Sequence, residues 1–220
     1  MSYSHIKCIL FDMDGTVLNS EPLFDKAQLL LLDEYGVKAS TKDLNEFRGM
    51  SNINFYPKFR EKFKISEEIK TLRLKLRKYL HKAMKNQLVF IDGFEYFYKT
   101  VIKSSNYKVG LVTNTTRSTY TEIQKNINID NYFSCVITVS EVQEPKPSPQ
   151  PYLQAMKYFN MNPYETIIVE DSITGLISAL RTEAHVFGIK TSLDAHQIKS
   201  IDKKIVPVDS YLDLGQLLKN

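Results

Sequence analysis

Two aspartates one residue apart, Asp12 and Asp14, lie in Phe11-Asp12-Met13-Asp14-Gly15-Thr16, where the apolar run Ile6 to Phe11 gives way to a glycine turn. Residues two apart in an extended strand project to the same face. The spacing therefore predicts two carboxylates aimed into one crevice at a strand's carboxyl end, where open α/β sheets bind their ligands. Neighbouring carboxylates repel unless a proton or a cation separates their roles. The chemistry that fits is one aspartate as nucleophile, its neighbour as acid and base, and a divalent metal holding the charge. Aspartate is an established covalent nucleophile toward phosphoryl groups. A D-x-D-G start also opens calcium-binding loops, but these need further oxygen ligands close behind. Val17 and Leu18 follow here, and no such ligand set appears.

Three further groups stand at the carboxyl ends of apolar runs. Val112-Thr113-Asn114 offers a hydroxyl followed by backbone amides, which suits phosphoryl oxygens, although Thr-Asn is also ordinary turn chemistry. Glu144-Pro145-Lys146-Pro147-Ser148-Pro149 sets a lysine between prolines, which lowers the entropy of holding an ammonium against an anion. Ile167-Ile168-Val169-Glu170-Asp171-Ser172 places two more acids after a strand. Acids in a buried crevice need a cation, and Mg²⁺ is the natural one for hard carboxylate oxygens; the simpler reading is an acidic cap for the helix that follows.

The elements that must position these groups follow from periodicity. Short apolar runs at Lys7–Phe11, Tyr107–Val112, Cys135–Val139, Thr166–Val169 and Val186–Ile189 read as buried parallel strands separated by helical segments. That alternation predicts a doubly wound, Rossmann-like α/β core. From Asn19 to about Ile91 only helical patterns occur. Ser20-Glu21-Pro22 reads as a helix start with Ser20 as the capping hydroxyl, and Gly36 as its end. A second helix begins at Ser66-Glu67-Glu68, with Ile69, Leu72, Leu76, Tyr79, Leu80 and Ala83 on one stripe. The expected organisation is a core of residues 1–18 and 92–220, interrupted after its first strand by an all-helical cap, residues 19–91. A lid attached beside the aspartate pair could close over it and exclude water. Basic residues of its last helix, Lys70 to Lys85, suit either an anion-attracting collar or a solvated helix face.

Composition sets the outer limits. The chain has 220 residues, 43% hydrophobic and 25% charged, as expected of a globular protein. No apolar run approaches membrane-spanning length, and the first residues lack the charged lead and apolar stretch of a signal peptide. Cys8 and Cys135 each lie in a strand-like run and read as buried free thiols in a reducing, cytoplasmic setting. A net charge of +4 suits phosphate-bearing ligands without requiring nucleic acid. The expected partner is a small phosphorylated metabolite, with no nucleic acid, no membrane and a monomeric chain.

Taken together, Asp12-Met13-Asp14-Gly15-Thr16, Thr113-Asn114, Lys146-Pro147-Ser148-Pro149 and Glu170-Asp171-Ser172 resemble, in order, the four motifs of the haloacid dehalogenase superfamily, in its branch with a helical cap after the first strand. The resemblance covers essentially the whole chain. It implies Asp12 as nucleophile, Asp14 as general acid and base, Thr113 as hydrogen-bond donor to the phosphoryl group and Lys146 as its counter-charge. It further implies Mg²⁺ held by Asp12, Asp171 and the backbone carbonyl of Asp14, with Glu170 assisting directly or through water. Asp14 argues against dehalogenation, because a dehalogenase need not protonate an ester leaving group. The implied activity is Mg²⁺-dependent hydrolysis of a small phosphomonoester (a sugar phosphate, nucleotide or phosphoglycolate-like acid) through an aspartyl-phosphate. Asn114, and from the cap Glu21, Phe24 and Arg48, are the candidates for further substrate contact.

The alternative within this branch is a sugar-phosphate mutase of the β-phosphoglucomutase type. Phe24 stands where that mutase keeps a cap histidine, and Asn52 near where its cap arginine falls, although Arg48-Gly49-Met50-Ser51 resembles the segment before it. Phosphonate-cleaving relatives need a Schiff-base lysine, for which Lys26 is the nearest residue. Asp92-Gly93 and Glu183 depart from the family's usual Pro-Gly and helix-ending glycine. From a different class, an aspartate-phosphorylated signalling domain would also cluster aspartates with Thr and Lys at strand ends, but it needs neither a cap nor D-x-D-G-T.

Overall fold

The computed structural model describes residues 3–47, 50, 52–85 and 87–219. In chain order, β1 (Cys8–Phe11) is followed by α1 (Glu21–Glu34), α2 (Thr41–Leu44), α3 (Asn52–Phe63) and α4 (Ile69–Met84). Next, α5 (Phe94–Phe97) runs through a π-helical turn, Tyr98–Ile102, into α6 (Lys103–Ser105). Strands and helices then alternate as β2 (Lys108–Val112), α7 (Arg117–Asn126), β3 (Cys135–Ile137), α8 (Gln150–Phe159), β4 (Thr166–Glu170), α9 (Ile173–Leu180), β5 (His185–Ile189), α10 (Ala195–Ile201), β6 (Val206–Val208) and α11 (Tyr211–Lys219). The chain divides into two compact units, one of Met1–Asn19 with Val89–Asn220, the other of Ser20–Leu88.

The larger unit is the α/β fold expected from the alternating runs. Its six parallel strands take the order β3-β2-β1-β4-β5-β6. Central β1 pairs with β2 on one side and β4 on the other. The chain winds outward in opposite directions from that point, which opens a crevice at the strands' carboxyl ends. Along β1, Cys8 and Leu10 face a core shared with Ile168, Tyr152 and Met156 of α8, Leu176 of α9 and Ile198 of α10. Phe11 points to the other face and packs edge-on against the rings of Phe94, Phe97 and Phe133. Each large apolar side chain so buried contributes roughly 1.5–3 kcal/mol. Helices on both faces are why the strands read as unbroken apolar runs. One strand escaped that reading: β6 is only Val206-Pro207-Val208, and its proline, which lacks a donor, is tolerated because the strand lies at the sheet edge.

Cys8 and Cys135 are free, buried and separated by β2. Burial pushes the Cys8 thiol up to about 12 and that of Cys135 up to about 11, so both stay protonated and inert.

The smaller unit is helical. α1 packs along α4, burying Leu31 and Leu32 against a stripe that includes Leu72, Leu76, Leu80 and Ala83. Ile69 and Tyr79, expected on that stripe, are half-buried. α1 ends as its sequence requires: Gly36 takes φ +70°, and the amides of Gly36 and Val37 return to the carbonyls of Asp33 and Leu32. Ser20 differs from expectation, since its backbone is already helical and its side chain makes no capping bond. α3 had no clear sequence signal. Its Phe55, Phe59 and Phe63, four residues apart, form a ring cluster with Phe47. Among the basic residues of α4, Lys75 is held by Glu34 at 2.9 Å and Glu67 at 3.1 Å, and Arg73 lies over the Tyr56 ring.

Glu183, two residues past the α9 C-cap, holds φ +66°, a left-handed conformation that glycine adopts without a Cβ penalty. Glu183→Gly is expected to stabilise the fold by about 1 kcal/mol. Thermal denaturation should show a higher midpoint, and a lower one would contradict the assigned backbone conformation.

Candidate active site

The carboxyl ends of β1, β2 and β4 deliver polar groups to the crevice. β1 hands over to Asp12, whose amide donates to the Val169 carbonyl at 3.0 Å, so the ends of β1 and β4 stay in register. Asp12 continues the face of Cys8 and Leu10, and Glu170 continues that of Ile168, so both carboxylates lie on the side covered by α8 and α9.

Between them sits the Lys146 ammonium, 3% exposed, delivered by the proline-framed segment before α8. It donates to Asp12 Oδ1 at 2.6 Å, Glu170 Oε1 at 2.7 Å and the Val112 carbonyl at 2.7 Å, and it lies 2.9 Å from the Tyr152 hydroxyl. That hydroxyl donates to Glu170 Oε1 at 2.9 Å. The other Glu170 oxygen accepts from the amides of Asp171 and Ser172 and from the Ser172 hydroxyl. Burial works against the Lys146 charge, but Asp12 and Glu170 outweigh it and its pKa is raised.

Asp171 is held from two sides, by the Thr16 hydroxyl at 3.1 Å and by the Ser192 hydroxyl. Gly15, at φ +80°, lies so close that a Cβ there would fall 2.2 Å from Asp171 Oδ2. Asp14 is held separately: Thr115 Oγ1 donates to its Oδ2 at 2.8 Å, and Thr113 Oγ1 lies 3.4 Å away. Thr113 in turn accepts the Thr115 amide at 2.9 Å.

Asp12, Glu170 and Asp171 each offer an oxygen within 4.8 Å of the others. Burial first, then the charge of Glu170, push the Asp12 carboxyl well above the usual carboxylate range, with Lys146 opposing only in part. A set of hard oxygens with an excess of negative charge fits Mg²⁺. Asp12 and Asp171 are the residues that would hold it: Glu170 is tied to the Lys146 ammonium and to the amides of Asp171 and Ser172, whereas the partners of the Asp171 oxygens are the neutral hydroxyls of Thr16 and Ser192.

Six of the residues singled out in the sequence thus meet in one unit: Asp12, Asp14, Thr113, Lys146, Glu170 and Asp171. Asn114 is spent on the protein, its amide pairing with the backbone N–H and carbonyl of Lys146 at 3.1 and 3.2 Å. Glu21 and Phe24 are half-buried in α1 of the other unit. There too, Lys26 donates to Gln87 at 3.0 Å, and Arg48 lies outside the described residues. Sequence reasoning missed Tyr152, Thr115 and Ser192 and gave Thr16 no role. A tyrosine on a helix's buried face and threonines in a turn carry no signal of their own; adjacency to Thr113-Asn114 and Asp14-Gly15 was the only pointer.

The profile of a family described as haloacid dehalogenase-like hydrolase matches residues 9–189. A pyrophosphatase, PpaX, from Bacillus cereus is 27% identical over 218 residues, covering 98% of this chain and 97% of its own. Among solved structures, a protein from Haemophilus somnus described as a predicted phosphoglycolate phosphatase superposes with a TM-score of 0.84 at 20% identity, covering 97% of this chain and 98% of its own. One from Thermotoga maritima, described provisionally as a β-phosphoglucomutase, gives 0.79 at 21% identity, covering 97% of each chain.

Gly175, in the first turn of α9, leaves the room that Glu170 occupies: a Cβ there would lie 1.7 Å from Glu170 Oε1. Gly175→Ala should therefore destabilise the protein by roughly 1–3 kcal/mol, as overpacking does. A denaturant melt indistinguishable from that of the parent would disprove this packing.

Proposed function

The chain belongs to the haloacid dehalogenase-like hydrolase family, and from that premise we propose that it is a Mg²⁺-dependent phosphatase acting on a small phosphomonoester through an aspartyl-phosphate. The observation that carries this reading is the separate handling of the two aspartates. Asp12 sits in a buried ionic network, 2.6 Å from the Lys146 ammonium, while half-buried Asp14 hangs from the Thr115 hydroxyl. One is oriented to attack, the other placed to exchange a proton with a leaving group or water.

In the first step an Asp12 oxygen attacks phosphorus in line, and the bond from phosphorus to the ester oxygen breaks. Asp14 gives its proton to the departing alkoxide. In the second step ionised Asp14 takes a proton from water, whose oxygen attacks the same phosphorus, releasing inorganic phosphate and regenerating Asp12. Lys146 neutralises charge on the transferring group, and the Thr113 hydroxyl and neighbouring amides hold its oxygens. Mg²⁺, when held by Asp12 and Asp171, supplies the positive charge that the carboxylates lack and draws charge from a phosphoryl oxygen. In this reading residues 1–18 and 92–220 form the hydrolase core and residues 19–91 the helical cap domain of the family's capped branch. No helix among the described residues is long and apolar enough to cross a membrane, and two free, buried thiols suit a reducing, cytoplasmic setting.

Two substrate readings compete. The Bacillus cereus relative is described as a pyrophosphatase, and the likeness runs the length of both chains. A phosphoanhydride would use the same Asp12 attack with less demand on Asp14, because phosphate is a better leaving group than an alkoxide. A mutase would need a cap that keeps water from the aspartyl-phosphate, and Phe24 provides no proton-handling group where one is required.

Asp12→Asn should abolish phosphate release while leaving the circular dichroism spectrum unchanged, because a carboxamide is a poor nucleophile. Asp14→Asn should slow monoester hydrolysis by roughly a hundredfold or more, with a smaller effect on pyrophosphate. Activity in excess chelator, or in a folded Asp12→Asn protein, would overturn the mechanism.

Products distinguish hydrolase from mutase. Incubated with β-glucose 1-phosphate, Mg²⁺ and a trace of the bisphosphate, the protein should yield free phosphate. Accumulation of glucose 6-phosphate well ahead of phosphate would reassign it as a mutase and leave the Asp12 nucleophile intact.

A further inference from the structure

At the opposite end of the sheet from the acidic crevice, the rings of His5 and His185 converge, with their Nε2 atoms 3.2 Å apart. His185 opens β5 and His5 precedes β1, two strands that β4 separates, so the rings reach toward each other past the start of β4. Both rings are braced. His5 stacks on Tyr164, with centroids 4.1 Å apart and planes 18° from parallel. The Tyr3 ring meets His185 edge-on at 5.7 Å, and Tyr3 is itself buried.

We propose that His5 and His185 form a binding site for a late first-row divalent cation of the zinc, nickel or copper type, distinct from the Mg²⁺ site. With metal–nitrogen bonds of about 2.0–2.1 Å, the separation of the two nitrogens subtends about 100° at the cation, between the square and tetrahedral values. The His185 tautomer is suited to this. Its ring also hydrogen-bonds to the Tyr164 backbone, and since Nε2 faces His5, the donor is Nδ1–H. A hydrogen bond at Nδ1 leaves the His185 Nε2 lone pair, which accepts from His5 Nε2–H in the 3.2 Å contact; on cation binding the His5 proton moves to its own Nδ1, so that both Nε2 lone pairs turn to the metal. Burial first, then the neighbouring His5, hold the His185 pKa below its usual value, so the ring is neutral at pH 7. Water completes the coordination sphere, and the bound cation ties the segment ahead of β1 to β5.

The test uses untagged protein with saturating Mg²⁺, which keeps the carboxylate crevice filled. Titration with Ni²⁺ or Zn²⁺ by calorimetry should show one equivalent bound and a higher midpoint of thermal unfolding. His5→Gln and His185→Gln should each weaken binding by roughly tenfold or more, whereas His196→Gln should not. Equal binding in parent and variants would overturn the site, as would no binding at all, which would leave only an imidazole–imidazole hydrogen bond. Should a variant not fold, the ring nitrogen resonances of the parent decide: Nε2 of both residues must shift on Zn²⁺ addition. None of these readouts depends on phosphatase activity, so the two proposals fail separately.

Discussion

A single buried ammonium organises the larger unit. Removing the Lys146 charge from water costs several kcal/mol, which only close and complete pairing offsets. Asp12, Glu170, the Val112 carbonyl and the Tyr152 hydroxyl provide that pairing, and each arrives on a different element. β1, β4, β2 and α8 must therefore all be in place before the charge is satisfied. The same requirement explains Gly175, the position that gives Glu170 its space on α9.

Pairing within this cluster is incomplete by design of its charges. Asp12, Glu170 and Asp171 gather around one lysine, and burial first, then the unrelieved repulsion from Glu170, show in the raised Asp12 carboxyl. Glu170 is committed to the protein at both oxygens, so it positions Lys146 and the start of α9. Asp171 is fixed by the hydroxyls of Thr16 and Ser192 yet stays beside Asp12. The excess negative charge is thus concentrated where a divalent cation would relieve it, at the carboxyl end of the sheet where the order of winding reverses. Asp14, linked to threonines rather than to the ammonium, escapes this network. Two aspartates one residue apart in the chain consequently experience different electrostatic surroundings.

Much of this was legible in the chain because it rests on local geometry. A strand's two-residue period puts Asp12 in line with Leu10 and Glu170 in line with Ile168. Helical three- and four-residue spacing marked Leu72, Leu76 and Leu80, and a glycine requirement marked the end of α1 at Gly36. Unbroken apolar runs announced strands covered on both faces. Where local signals were weak, the reading fell short. β6 has three residues and a proline, and α3 has rings spaced for a helix but no cap to announce it.

What the sequence by itself determined is the kind of chemistry: acids, a lysine and hydroxyls at the ends of strands, in the order of the haloacid dehalogenase motifs on a doubly wound α/β core. Only the tertiary structure decided which of them meet. Thr16 reaches Asp171 across 155 residues, Thr115 reaches Asp14 across 101, and His5 reaches His185 across 180. Such contacts depend on strand order and on which helix face turns inward. Tyr152 is a core residue by pattern and a partner of Lys146 only by position. Periodicity is set by bonded neighbours, whereas hydrogen-bond partners are set by the packing of the whole sheet, and that information is spread over the chain rather than written at any one residue.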